Sequence, residues 1–260
     1  MITNVKELEK LLAGSSPAYR GVVAYQGPSM LDGSPIVCVI NKLGKSRVHN
    51  SKTGDMVQSF IINERVHPVE ALKSGEDASV CGDCVHRMQA DGSRSCYVEV
   101  GKSVTSVYNA LHRGRYLMPN QYDVGLLTPL MKGKLLRVGT YGDPAAVPFQ
   151  YWGLMCAAVK GTTGYSHQWR KPMFAAFKSI CMASVDSDIE QTIAAAMGWR
   201  TFRVMADGQA PGETEIMCPS ESGVSCADCK LCAGIKTAAK SIAIPAHGIG
   251  KGAFNKRQAA

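Results

Sequence analysis

The sequence predicts an α/β protein: a curled, mostly parallel sheet forming a partial α/β barrel, with a β-rich N-terminal extension and a cysteine-rich C-terminal segment. Three observations carry this expectation. From residue 135 onward, strand-like and helix-like stretches alternate with short links, as parallel sheets require. Before residue 67, apolar runs are separated by turn chemistry instead. Seven of the ten cysteines fall into two tight groups. The expected organisation is residues 1–67 as a helix and β-rich extension, and 68–250 as the α/β partial-barrel domain including the cysteine-rich loop 213–234. Residues 251–260 form a basic tail.

The first residues read as an amphipathic helix. Strands are expected at Arg20 to Tyr25, Ile36 to Ile40 and Met56 to Ile62, separated by Gln26-Gly27-Pro28, Asp32-Gly33-Ser34-Pro35 and Lys52-Thr53-Gly54-Asp55. After the first cysteine group, Val104, Val107, Tyr108 and Leu111 share one helical face, with Ser103 placed to cap it. Leu135 to Tyr141 reads as a strand, Phe149 to Lys160 as a buried helix, and Gly161 to Trp169 as containing a short strand. Ile180 to Val185 is the next strand. A helix then starts at Ser187, with Glu190 completing a capping box, and ends at Gly198. Thr201 to Met205 and Ser241 to Ile244 are the last predicted strands.

Of the 260 residues, 45% are hydrophobic and 19% charged, an ordinary globular composition able to build a large core. The segment Met1 to Glu9 carries charges where a secretion signal needs an apolar stretch. The most apolar window, Pro148 to Val159, is shorter than the ~20 residues of a membrane span. The expectation is a cytoplasmic protein without a membrane partner. The net charge of +8 fits a polyanionic partner, nucleic acid or a host protein surface, although the only dense basic stretch is the tail Lys251 to Arg257. The plainer reading is a solvated basic surface.

In a reducing compartment, close Cys-x-x-Cys pairs point to metal or redox chemistry. Cys38, Cys156 and Cys181 stand alone in apolar surroundings and read as core residues. The stronger group is Cys218-Pro219-x6-Cys226-x2-Cys229-x2-Cys232. Three cysteines at three-residue steps plus a fourth nearby can wrap four thiolates around one inorganic core. Bacterial ferredoxins hold a 4Fe-4S cubane with the same run. Zinc is the rival, because four thiolates also close a tetrahedral structural site. The other group, Cys81-x2-Cys84-x11-Cys96-Tyr97, is one thiolate short. Either His67, His86 or a distant residue completes a closed site, or the three cysteines hold a cluster with one open iron; a Cys81–Cys84 redox pair is a further reading.

Ligands of parallel sheets bind at the carboxyl ends of strands. Three polar sequences fall there: Thr140 to Pro144, offering Gly142 and Asp143; Thr163 to Arg170, gathering His167, Gln168 and Arg170; and Ser184 to Ser187. The local alternatives are that Asp143-Pro144 makes a turn and that Asp186 and Ser187 cap a helix. His247, after the last strand, either joins the pocket or is structural.

Together, the two cysteine groups, Gly139 to Pro144, Gly164 to Trp169, Met182 to Asp186 and Gly198 to Val204 resemble an uncharacterised bacteriophage protein family, over roughly residues 50 to 250. That resemblance implies a protein made in a bacterial host cytoplasm during infection. A weaker likeness is to the radical S-adenosylmethionine enzymes, partial α/β barrels with three cysteines on a loop near the first barrel strand. The likeness implies that Cys81, Cys84 and Cys96 form the cluster loop, with S-adenosylmethionine as cosubstrate and Gly142-Asp143-Pro144 as its amino-group site. Those enzymes usually space their cysteines Cys-x3-Cys-x2-Cys, whereas x2 and x11 stand here. Two functions follow as expectations: a redox or radical-type enzyme with Asp143 and His167 in its pocket, or a non-enzymatic metalloprotein whose surface binds nucleic acid or a host protein.

Overall fold

The computed structural model describes residues 1–13, 17–44 and 50–259. Ala260, the last residue of the expected tail, lies outside them. The chain opens with α1 (Val5–Leu12), whose N-cap Asn4 accepts from the Lys6 amide and whose Leu8 and Leu12 are buried. The strands β1 (Gly21–Pro28), β2 (Pro35–Asn41) and β3 (Val57–Asn63) follow as an antiparallel meander. Next come α2 (Pro68–Ser74), α3 (Ala78–Cys81), α4 (Thr105–His112), β4 (Tyr116–Leu117) and α5 (Leu127–Met131). The parallel half contains β5 (Leu135–Tyr141), α6 (Phe149–Cys156), β6 (Gly161–Ser166), β7 (Met182–Val185), α7 (Asp188–Ala196) and β8 (Thr201–Met205). It closes with β9 (Glu215–Met217), α8 (Cys226–Cys229), β10 (Ser241–Pro245) and α9 (Lys251–Ala259).

Among the described residues the ten strands belong to one sheet, in the order β4-β1-β2-β3-β5-β6-β7-β8-β10-β9. Only the β1–β2 and β2–β3 pairings are antiparallel. The fold is therefore mixed α/β with a mostly parallel sheet, as expected. The sheet is not closed, because no pairing joins β4 to β9. The meander predicted as an extension is hydrogen-bonded through β3 to β5 and so shares this sheet.

The order explains which face each segment covers. Apart from β4, which pairs with β1 at the far edge, each strand from β3 to β8 is added on the same side of the last. Right-handed crossovers then put their connections on one face. There Leu136, Val138, Trp152, Met155, Trp169, Phe174 and Phe177 form part of a large core. β10 reverses direction by inserting between β8 and β9, so its crossover, residues 218–240, is sent to the opposite face. That face holds only a small core of Met182, Phe202, Cys232, Ile242 and Ile244.

Three local expectations need correction. Ser103 does not cap α4: it is exposed inside a π-helical turn, Val100–Val104, and the Thr105 hydroxyl bonds the Val100 carbonyl at 2.9 Å. β4 and β9 have two and three residues, too short for any periodicity to register. Asp186 is not a cap either: Ser187 alone accepts from the Glu190 amide, at 3.2 Å. Cys38 and Cys181 are buried, and Cys156 is half-buried, with burial pushing its thiol up to about 12. Among the described residues no helix is long and apolar enough to cross a membrane.

Candidate metal centre and the cleft beside it

The connection from β9 to β10 is fixed at many points. Cys218 follows β9 directly, and its amide donates to the Ala243 carbonyl at 2.8 Å. Pro219 opens a 3-10 turn that ends at Gly223 in the left-handed region, φ 82°. Ser225 then caps α8, which carries Cys226 and Cys229, and the Cys226 amide donates to the Lys52 carbonyl at 2.8 Å. Lys230 turns the chain back with φ 57°, and the Cys232 carbonyl accepts from the Gly164 amide at 3.2 Å. Arg200 ties the return: its guanidinium donates to the carbonyls of Leu231, Gly234, Ala239 and Lys240 at 2.6, 3.0, 2.9 and 2.6 Å.

This path brings Cys218, Cys226, Cys229 and Cys232 to the wall of one cavity, with Thr163 and Tyr165 of β6 and Ile242 of β10 as its floor. The donor set is purely thiol, since no carboxylate or imidazole lines the cavity. In their present side-chain positions, no group of three or more His, Cys, Asp and Glu among the described residues is posed to hold a metal ion. Burial pushes the Cys232 thiol up to about 12 and raises that of Cys226, where the Arg137 charge works the other way. Thiolates are costly in such a place unless a cation accompanies them. The donor chemistry fits a thiophilic metal, and the four cysteines are the residues that would hold it.

The Lys52–Gly54 turn supports α8 from below. Gly54 has φ 62°, and a Cβ there would meet the Ala227 Cβ at 2.8 Å. Gly54→Ala should destabilise the protein by about 1–3 kcal/mol and displace α8. A thermal melt alongside metal analysis checks both effects.

The first cysteine group lies at the carboxyl end of the parallel strands. Cys81 ends α3, and the Cys84 amide turns back to the Cys81 carbonyl at 3.3 Å. Gly82 between them has φ 59° and packs against the Gln168 amide so closely that a Cβ would lie 2.6 Å from it. Arg87 clamps the loop through Asp77 at 2.6 Å and the Gly82 carbonyl at 2.9 Å. The Cys96 amide donates to the His86 carbonyl at 3.0 Å. Burial raises all three thiols, Cys84 to about 12, and Cys84 and Cys96 each add to the rise at Cys81.

Of the predicted fourth ligands, His67 and His86 both have ring nitrogens engaged elsewhere. His67 caps α2 by accepting from the Val69 amide at 3.3 Å and packs edge-on against Tyr108. His86 has both ring nitrogens engaged, Nδ1 with Ser95 Oγ at 2.9 Å and Nε2 with Asp186 Oδ1 at 3.1 Å. Gly142, at φ 82°, backs onto Ile61 and the Val80 carbonyl. Asp143 is buried, and its carboxylate accepts from the Ala145 amide, the Ser166 hydroxyl and the His167 amide at 3.0, 2.8 and 2.7 Å. It both caps the turn Pro144–Ala146 and ties β5 to the end of β6.

His167 lines a cleft with Asp83, Arg170, Lys171, Asp186 and Glu190. Its ring meets His86 edge-on at 5.2 Å, and its Nε2 is buried without a hydrogen-bond partner. The charges of the cleft are cross-paired, Arg170 with Glu190 at 2.6 Å and Lys171 with Asp83 at 3.1 Å. His247 stays outside this group; its Nδ1 contacts the Pro245 carbonyl at 3.1 Å, and its ring lies on Tyr97. The basic tail becomes α9, whose Lys251 pairs with Asp207 and whose Arg257 reaches Asp186, His86 and Ser95.

Sequence reasoning missed this His86–Asp186–Arg257 cluster, whose members are far apart in the chain. Burial pushes the Asp186 carboxyl up, but His86, His167 and Arg257 outweigh it and hold it below the ordinary range. A lowered folded value means the contribution is present above the unfolded value, ~3.9, and is lost as pH falls through the folded value. Asp186→Asn should therefore cost about 2 kcal/mol at pH 7. The gap to wild type should close below about pH 4 in urea melts.

The chain as a whole matches no protein-family model, no curated protein and no solved structure.

Proposed function

We propose that this is an iron–sulfur protein, with a 4Fe-4S cluster held by Cys218, Cys226, Cys229 and Cys232, and that the cleft beside Cys81, Cys84 and Cys96 is the seat of a redox or radical-type reaction. The observation that carries the reading is the shared cavity: four thiols, with no carboxylate or imidazole among the described residues that line it. An iron–sulfur centre would supply one-electron chemistry there. The protein's own part is to exclude water with Tyr165, Leu231 and Ile242 and to hold the sulfurs on a loop pinned by Arg200.

At the strand ends, three cysteines suit a centre with one open position. His167, with an unpartnered ring nitrogen, is the group there able to accept or give a proton. S-adenosylmethionine is the proposed cosubstrate, and Gly142 and Asp143 act on it only indirectly, by fixing the backbone from which His167 projects. We extend the reading to a sheet curled toward a partial barrel around this cleft, and to a bacteriophage protein working in its host's cytoplasm.

Protein purified anaerobically should be brown and contain iron and sulfide in equal amounts, with Cys226→Ser losing the share of one cluster. S-adenosylmethionine added to the reduced protein should perturb the EPR spectrum. A colourless protein with stoichiometric zinc refutes the iron–sulfur assignment. It supports instead a non-enzymatic metalloprotein that presents a surface to nucleic acid or a host protein. Salt-sensitive binding to DNA or RNA would be the sign of the former partner.

A further inference from the structure

Between the two cysteine groups, the face of the sheet opposite the main core carries a cation. Arg137 sits in β5 between Leu136 and Val138, whose side chains enter the main core on the other face. Its guanidinium donates to the Tyr97 hydroxyl at 3.1 Å and lies 5.7 Å from the centre of the Tyr165 ring. Burial works against its charge, but Tyr97, Tyr165 and Cys226 around it hold it firmly protonated.

Tyr165 is the second member. It lines the four-cysteine cavity, and its ring lies on Phe202 with centroids 4.0 Å apart. Cys232 lines that cavity with it. Two strand residues thus stand together at the cavity, Tyr165 in its lining and the Arg137 guanidinium beside the Tyr165 ring. A phenol in a small apolar core needs a partner for its hydroxyl, and a sulfur carrying negative charge is a better acceptor than a neutral thiol.

We infer that Arg137 and Tyr165 are positioning residues of the four-cysteine centre, the tyrosine hydroxyl hydrogen-bonding the Cys232 sulfur and the guanidinium facing Cys226, so that together they stabilise its reduced form and set its reduction potential. The inference rests on the metal–thiolate reading of residues 218–232. Hydrogen bonds and positive charge near cluster sulfurs favour the more negative, reduced state, and outer-shell partners of this kind also hold the metal. Arg137 and Tyr165 take no part in ligation.

The test is a redox titration followed by EPR on anaerobic wild type, Arg137→Met, Arg137→Lys and Tyr165→Phe. Arg137→Met and Tyr165→Phe should each lower the midpoint potential and raise the rate of metal loss to a chelator about tenfold. Arg137→Lys, which keeps the charge, should stay near wild type. A residue that merely packs would lower the melting temperature and leave the potential unmoved. Equal potentials in Arg137→Met, Tyr165→Phe and a metal-loaded wild type overturn the inference and leave the metal site standing. A wild type without metal overturns both. If the metal is zinc, which has no reduction potential to set, the inference is overturned as well.

Discussion

On the metal–thiolate reading proposed above, Cys232→Ser should strip the metal from the 218–232 site and cost on the order of 4 kcal/mol of stability. Cys232 is the most deeply placed of the four thiols, 7% exposed, and belongs to the small core under the 218–240 connection. That core has few other members, Met182, Phe202, Ile242 and Ile244 among them. A domain segment with so little apolar surface relies on a staple, and a structural metal supplies one. Serine keeps the shape but is a poor ligand for a thiophilic metal, and it places a hydroxyl among apolar groups. The expected signature is local. Amide exchange should quicken over residues 218–240 while the meander β1–β3 stays protected, and metal content should fall in parallel. Adding a chelator to wild type should reproduce the pattern. Global unfolding with no preference for that segment would contradict this account.

Arg203→Met should have a comparable effect by a different route, a loss of about 3–5 kcal/mol. Arg203 of β8 and Glu215 of β9 form an ion pair with side chains only 3% and 0% exposed. The guanidinium donates to Glu215 Oε2 at 2.6 Å and through Nε to Oε1 at 3.0 Å, and also reaches Asp188 at 3.1 Å. The two strands are not neighbours, since β10 lies between them. The pair spans it diagonally because Arg203 stands beside Ala243 and Glu215 beside Ser241, both small. Removing the arginine leaves a buried carboxylate without its cation, which is costlier than removing both partners. Cys218 lies three residues beyond Glu215, so the variant should lose metal as well as stability. The double variant Arg203→Met with Glu215→Leu should regain much of the stability, as chemical denaturation would show.

The parts of this molecule readable in the sequence are those written in short-range pattern. β5 and β8 emerged with the predicted boundaries, and α7 with its Ser187 cap, because alternation and capping chemistry act over a few residues. The run Cys226, Cys229, Cys232 was equally plain from spacing alone. What spacing does not encode is strand order. Neither the insertion of β10 between β8 and β9 nor the Arg203–Glu215 pair that exploits it has a local signature. Asp186 shows the same limit. The capping-box residue Glu190 sends its carboxylate to the Asp186 amide at 2.8 Å, which leaves the Asp186 carboxylate for His86, one hundred positions away. Arg137 and Arg200 looked like two of many scattered cations, and only the fold reveals their partners.

The backward placement of the final strand has a consequence for biogenesis. As the ribosome delivers the chain, β9 and all four cysteines of the 218–232 group emerge before the strand against which β9 must pair. The thiols therefore wait, tethered only at one side, until residues up to about 245 have left the exit tunnel and slid into the gap beside β8. On the metal–thiolate reading, loading of an inorganic centre would be deferred to the end of translation, and nascent chains interrupted earlier would carry their sulfurs unassembled.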